Sequence, residues 1–158
     1  MLADIKKIEK GYAAYFERQL NHSLEDVWAM LTDNNQLEKW FQELRVGELR
    51  DGGFMKFDMG EGTEEKLEIT EVKKYSVLEF DWFGDQVRFE LHSKQEGCLL
   101  ILEEKINTLT EQTKKDLAGW HVCLDVIKAL LDGKEIQRED EWKEWHKEYA
   151  KAIDKLMS

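Results

Sequence analysis

Chemistry in this chain would have to come from its His, Cys, Ser and acidic residues. The four histidines are His22, His92, His121 and His146, and no two stand at HxxxH or HExxH spacing. Cys98 and Cys123 fall in separate apolar stretches without CxxC spacing, so both read as buried free thiols. No linear motif for zinc is present, and neither a metal nor another cofactor is expected. Ser23, Ser76, Ser93 and Ser158 sit at a cap, a turn, a strand end and the terminus, none in a nucleophile elbow. Gly60-Glu61-Gly62 carries an acid where a phosphate cradle wants neutral or basic surroundings.

Four polar residues remain as candidates. Glu103 and Glu104 end an apolar run. A carboxyl turned inward there would be a general base with a raised pKa, whereas a solvated strand end is the plainer reading. Arg18 alternates with Phe16 and Leu20 on an inner strand face, either as the partner of such a carboxylate or with its head reaching the edge. His121 stands next to Trp120 on a helix, where a satisfied or exposed histidine is the plainer reading than a ligand contact.

The elements that must position these residues can be read from hydrophobic period. Tyr12 to Leu20 alternates as a strand. Ser23 caps a helix whose Leu24, Val27, Trp28 and Leu31 share one face, and Gln36 to Phe41 adds a further turn or two. From Glu43 to Ile106 the period is two. Met55, Phe57 and Met59 alternate with polar residues, as do Leu67 and Ile69, then Leu78, Phe80 and Trp82, then Val87, Phe89 and Leu91. Short Gly, Asn and Asp turns separate these runs, which demands an antiparallel meander, because parallel strands need long crossovers. A closing helix over 113–131 carries Trp120, Leu124 and Ile127 toward the sheet, and a last amphipathic helix runs from about Glu139 to Met157. The expected class is α+β in one domain over 1–158, with a core at 12–133 and an additional helix at 134–158.

Phe16 to Phe41 (FERQLNHSLEDVWAMLTDNNQLEKWF) and Ala118 to Gly133 (AGWHVCLDVIKALLDG) carry a resemblance. In that element order the chain resembles the START/SRPBCC superfamily. Within it, the chain is similar to bacterial proteins related to the C-terminal domain of activators of the heat-shock-protein-90 ATPase. The resemblance implies a helix-grip fold: a curved antiparallel sheet of about six to seven strands around a long helix, with a short helix pair after the first strand. It also implies a hydrophobic cavity between sheet and helix, but no single reaction. One departure is visible, since Asn21-His22-Ser23-Leu24 stands where the family commonly has a Pro, and the chain contains none.

Composition limits the partners. Lys+Arg 23 against Asp+Glu 34 gives a net charge of -11, a surface that repels nucleic acid and anionic membranes. The N-terminal residues hold no signal-peptide h-region, and a cytoplasmic location is the default. Six Trp, seven Phe and four Tyr indicate an aromatic interior or an aromatic-walled cavity. Three functions follow. The first is non-enzymatic binding of a flat hydrophobic small molecule, walled by Phe57, Met59, Phe80, Trp82, Phe89, Trp120, Leu124 and Ile127. The second is a protein-interaction or chaperone-associated, stress-response module, as the resemblance implies. It is weakened because only about a dozen residues precede the first strand, too few for the N-terminal chaperone-binding domain of the eukaryotic activators. The third is a polyketide cyclase- or dehydratase-like enzyme, for which no convergent acid/base set can be assembled. Either a monomer or a homodimer fits, since the face with Trp142, Trp145 and Tyr149 can pack on the domain or on a second copy.

Overall fold

The computed structural model describes residues 2–158. Eight strands and four helices follow in the order β1 (Asp4–Ile8), β2 (Gly11–Leu20), α1 (Leu24–Thr32), α2 (Asn34–Leu37), β3 (Leu44–Glu48), β4 (Phe54–Gly60), β5 (Thr63–Lys73), β6 (Val77–Trp82), β7 (Asp85–Lys94), β8 (Gly97–Ile106), α3 (Glu111–Leu131) and α4 (Arg138–Met157). One antiparallel sheet has the order β1-β2-β8-β7-β6-β5-β4-β3. This is the helix-grip arrangement, with one strand more than the upper expectation.

The additional strand is β1, which falls among the dozen or so residues expected to precede the first strand. It pairs with β2 from Asp4–Tyr15 to Ile8–Gly11. Its DIKKI sequence is mostly polar because it is an edge strand with little to bury, so period gave a weak signal. Gly11 makes the hairpin possible: its φ is 92°, and a Cβ there would run into the Ile106 carbonyl.

The Ser23 hydroxyl accepts the Asp26 N–H at 3.1 Å, which caps α1 where the family commonly uses Pro. Val27, Trp28 and Leu31 are buried, as the helical spacing predicts. Trp28→Ala should therefore cost about 3–5 kcal/mol, readable by chemical denaturation. Helix α2 is a single turn that begins and ends earlier than expected, because the Asp33 side chain caps it at Asn35 N–H. The chain then turns irregularly through residues 38–42. There the buried Trp40 donates its indole N–H to the Met30 carbonyl at 2.7 Å and fixes the direction of Phe41.

Helix α3 starts two residues before the expected position, at a Thr110–Thr113 capping box. Leu117, Trp120, Leu124 and Ile127 are buried toward the sheet, but His121, Val122 and Cys123 are buried as well. The second buried side is covered by α4, whose Tyr149 and Ile153 are its fully buried residues. So α3 lies between the sheet and α4, and no single apolar stripe could have described it.

Candidate functional site

Four aromatic side chains from four segments meet at one end of α3. Phe41 comes from the turn after α2, Trp82 from the end of β6, Trp120 from α3 and Trp142 from α4. Phe41 meets Trp120 at 5.5 Å and Trp82 at 5.8 Å between ring centres, and Trp82 meets Trp120 at 5.0 Å, all edge to face. Such edge-to-face contacts fix the rings against one another, and Trp82 and Trp120 are themselves only 7% and 2% exposed. These residues, with Gly119, Asp116 and Arg138, line an open cleft of about 530 Å³. Gly119 keeps it open from the helix side. The nearest atom to a Cβ placed there is the Trp142 indole nitrogen at 4.0 Å, and that nitrogen donates to the Lys115 carbonyl at 3.4 Å.

The rim extends outward through Phe57, which packs edge-on against Phe41 at 5.8 Å, Trp82 at 5.6 Å and Phe83 at 5.2 Å. Phe83 is 49% exposed and has φ 53°, followed by Gly84 at φ 94°. This places the β6–β7 turn at Phe83-Gly84. A bulky residue in the left-handed region is unfavourable, so the exposed ring at the rim is kept at some strain.

The eight residues expected to form one wall divide. Trp82 and Trp120 line the cleft. Phe80 and Phe89 from the sheet and Leu124 and Ile127 from α3 are fully buried core between them, and Phe57 is half-buried at the rim. Met59 is corrected: it is 51% exposed. Its alternation with Met55 and Phe57 is right, but the β4–β5 hairpin runs past the part of the sheet that α3 covers. Phe41, Gly119, Trp142 and Asp116 were missed as site residues. Gly119, a glycine within a strongly helical run, was the available signal.

A second acid lies close enough to Asp116 to feel its charge. Glu104 points inward from β8 between Ala14 of β2 and Val87 of β7, is 1% exposed, and its Oε1 has no hydrogen-bond partner among the described residues. The solvated strand end expected for it is thus corrected, because the inward parity of Leu102 and Ile106 carries through position 104. Burial pushes its pKa well above the usual carboxylate range, and the charges of Asp116 and Asp85 push the same way. Asp116, in the cleft wall, is also raised by burial; hydrogen bonds from Gln112, at 3.2 Å, and from Trp82 oppose the rise. Asp85 is raised mainly by burial, against the Asn107 N–H that it accepts at 3.0 Å. Glu103, one residue away on the outward face, is half-buried opposite Tyr15 and Arg88.

The remaining candidates belong to a second polar cluster on the other side of α3. His121 is 1% exposed. Its Nδ1 is 2.8 Å from the Tyr149 hydroxyl, which also accepts the Ala3 N–H at 2.9 Å. The phenol therefore donates to Nδ1, and the His121 proton sits on Nε2, facing Asp125 at 3.4 Å. Asp125 accepts from Arg18 Nε at 2.8 Å. So Arg18 does have a carboxylate partner, but it is Asp125 and neither Glu103 nor Glu104. The Trp145 ring lies 3.8 Å from the imidazole centre to centre. Burial first, and then the Arg18 charge, lower the His121 pKa to about 3, and burial raises Tyr149 to about 12. Every polar atom here has a use, so this His is satisfied and neutral.

Cys98 and Cys123 are buried free thiols. Burial raises Cys123 to about 11 although Arg138 lies beside it, which makes it unreactive. Among the described residues no group of three His, Cys, Asp or Glu side chains could hold a metal ion. Among the described residues no helix is long and apolar enough to cross a membrane.

With this geometry established, comparison with known proteins places the fold. A conserved protein of unknown function from Enterococcus faecalis superimposes with a TM-score of 0.87 at 24% identity, over 98% of this chain and 91% of that one. CalU16 from Micromonospora echinospora gives 0.72 at 20% identity, over 96% and 95%. A subunit of the Aha1 dimer from Colwellia psychrerythraea gives 0.64 at 18% identity, over 75% and 95%. At such identities the likeness is one of fold. No curated protein matches the chain. The family described as "Activator of Hsp90 ATPase homolog 1-like protein" matches residues 21–132, which is well over half the chain and includes α1 through the whole of α3. The chain belongs to this activator-of-Hsp90-ATPase-homologue-like family.

Proposed function

We propose that the chain binds a flat, largely apolar small molecule in the cleft between α3, α4 and the β6–β7 hairpin, without transforming it. The observation that carries this reading is the aromatic-walled cleft of about 530 Å³, a size that suits a small ligand. Flat molecules fill slots between rings with little loss of their own conformational entropy. Trp82, Trp120 and Trp142 would report occupancy through their emission. A panel of planar aromatic compounds should give a saturable change in tryptophan fluorescence, and Gly119→Leu should abolish it by filling the cleft while the protein stays folded. A panel without a saturable change, or binding untouched by Gly119→Leu, would remove this reading.

A chaperone-associated role is the second reading. It is favoured by family membership and by the exposed Met59 and Phe83 on neighbouring hairpins. Its check is the ATPase rate of purified Hsp90 with the chain in excess: acceleration lost in a Met59→Ser, Phe83→Ser double variant supports it, and an unchanged rate removes it.

A further inference from the structure

The sheet has two ends, and the chain finishes them differently. At one end β3 is the outermost strand. The Asn34 side chain lies along it, accepting the Val46 N–H at 2.8 Å and donating to the Val46 carbonyl at 3.1 Å. An amide in that position takes the hydrogen bonds that a further strand would make and closes the edge. At the other end β1 covers only half of β2. The pairing stops at Asp4–Tyr15, and the Ala3 N–H before it goes to the Tyr149 hydroxyl of α4. From Phe16 to Leu20, β2 has β8 on one side and no strand on the other.

Two hairpins fix which backbone groups are exposed there. Two-residue turns join Ile8 to Gly11 and Lys94 to Gly97, so each of these closes as a hydrogen-bonded pair. Counting by two from either one, Phe16, Arg18 and Leu20 bond to β8, while Glu17 and Gln19 turn their N–H and C=O groups to the open side. Arg18 Nη1 donates to the Glu17 carbonyl at 2.8 Å. The Glu17 N–H, the Gln19 N–H and the Gln19 carbonyl have no partner among the described residues. A groove of about 530 Å³ runs along this stretch, lined by Leu2 and by the consecutive β2 residues Tyr15, Phe16, Glu17 and Arg18. Successive side chains of a strand point to opposite faces, so only a groove lying along the strand's edge touches all of them. None of its residues lines the aromatic cleft.

We propose that this edge of β2 receives a strand of another polypeptide, an extended segment that alternates basic and apolar residues. The open groups are those of a strand edge, and an extended backbone satisfies them in register where a flat small molecule or a helix does not. Charge sets the side-chain pattern. A residue paired with Glu17 puts its side chain on the outer face of the sheet. Glu17 is exposed there, and Glu90 and Glu103 stand on the neighbouring strands. The nearby Arg88 is already held by Glu71, Glu79 and Glu90, so a basic side chain opposite Glu17 meets acids with little competition. Residues of the other parity fall on the side of Phe16 and Leu20, both buried and apolar. A second copy of the chain, itself at -11, is the poorer fit.

The test is an NMR titration of the isotope-labelled chain with the peptide acetyl-Val-Lys-Val-Lys-Val-amide. The Glu17 and Gln19 amide signals should move saturably, and those of Phe16 and Arg18, which bond to β8, should move less. The same peptide methylated on both Lys backbone nitrogens, and its counterpart acetyl-Val-Glu-Val-Glu-Val-amide, should each bind at least about tenfold weaker. Gln19→Pro removes an N–H that lies outside the ladder, which an edge strand tolerates, and should weaken the Lys peptide as much. Should that variant fail to fold, Glu17→Lys decides by reversing the preference between the Lys and Glu peptides. No saturable change, or equal binding of the methylated peptide, would overturn pairing at this edge. Equal binding of the Glu peptide would overturn the assignment of charge. A free chain that sediments as a dimer, dissolved by Gln19→Pro, would give the edge to a second copy and overturn the peptide as its occupant.

Discussion

The two sides of α3 bury polar groups in opposite ways. Toward α4, His121 is enclosed by Tyr149, Asp125 and Trp145, with Ala3 and Arg18 completing the chain of hydrogen bonds. Toward the sheet, Glu104 is equally buried, but one oxygen has no partner and its neighbours are acids. Burial of a polar group is tolerated when its hydrogen bonds are made and is destabilising when they are not. The difference separates a structural pin, which ties the residue before β1 to β2, α3 and α4, from a buried carboxyl held at a cost to stability.

The sharpest way to break the comparison is to remove the pin. Tyr149→Ala should lose about 3–5 kcal/mol, since it deletes a buried aromatic ring and leaves His121 Nδ1 and the Ala3 N–H unmatched. Urea denaturation measures it, and a loss below about 1 kcal/mol would show that the cluster is incidental.

The pin should also set an acid limit. His121 has a native pKa near 3 against an ordinary value of 6.5. Between those values the unfolded chain binds a proton that the native one refuses. Stability contributed by the neutral His is therefore whole above 6.5 and is lost as the pH falls toward 3, by up to about 1.4 kcal/mol per pH unit. In His121→Phe that share of the acid dependence should vanish. An unchanged slope would place the titration elsewhere.

Glu104 has the opposite sign. Its native pKa lies above the ordinary 4.5, so as the pH rises past that value the unfolded chain ionises and the native one does not. The penalty is absent below 4.5 and grows with rising pH up to the native value. Glu104→Leu, which replaces the orphan with an apolar group, should raise stability at neutral pH by about 1–3 kcal/mol. It should also flatten that part of the pH profile, read as the difference between variant and wild type.

The smallest expected effect is at Gly119. Its Cβ would meet nothing closer than 4.0 Å, and Ala is the better helix former, so Gly119→Ala should add about 0.5–1 kcal/mol in thermal unfolding. Destabilisation instead would mean that the cleft wall is tighter than described.

Period and turn chemistry were enough to find the meander, both long helices and the Ser23 cap, because each depends on neighbours in sequence. Strand β1 was not legible, since an edge strand that buries little leaves no alternation to read. The site was legible only in part. Trp82 and Trp120 follow from strand and helix parity, but the same parity put Phe80, Phe89, Leu124 and Ile127 beside them. It could not say which of them also border the cleft at the end of α3. Met59 had the correct face and the wrong position along it. Glu104 was assigned by its charge when its parity with Leu102 and Ile106 was the stronger signal. The contribution of α4, which supplies Trp142 to the cleft and Tyr149 to the pin, depends on how two helices dock and leaves no mark in a local window.

The most direct measurement is the thermal midpoint of wild type and Glu104→Leu at neutral pH. A buried carboxyl oxygen without a partner costs about 1–3 kcal/mol, so replacing it with an apolar group should raise the midpoint. A midpoint equal to or below that of the wild type would contradict the contrast between the two sides of α3.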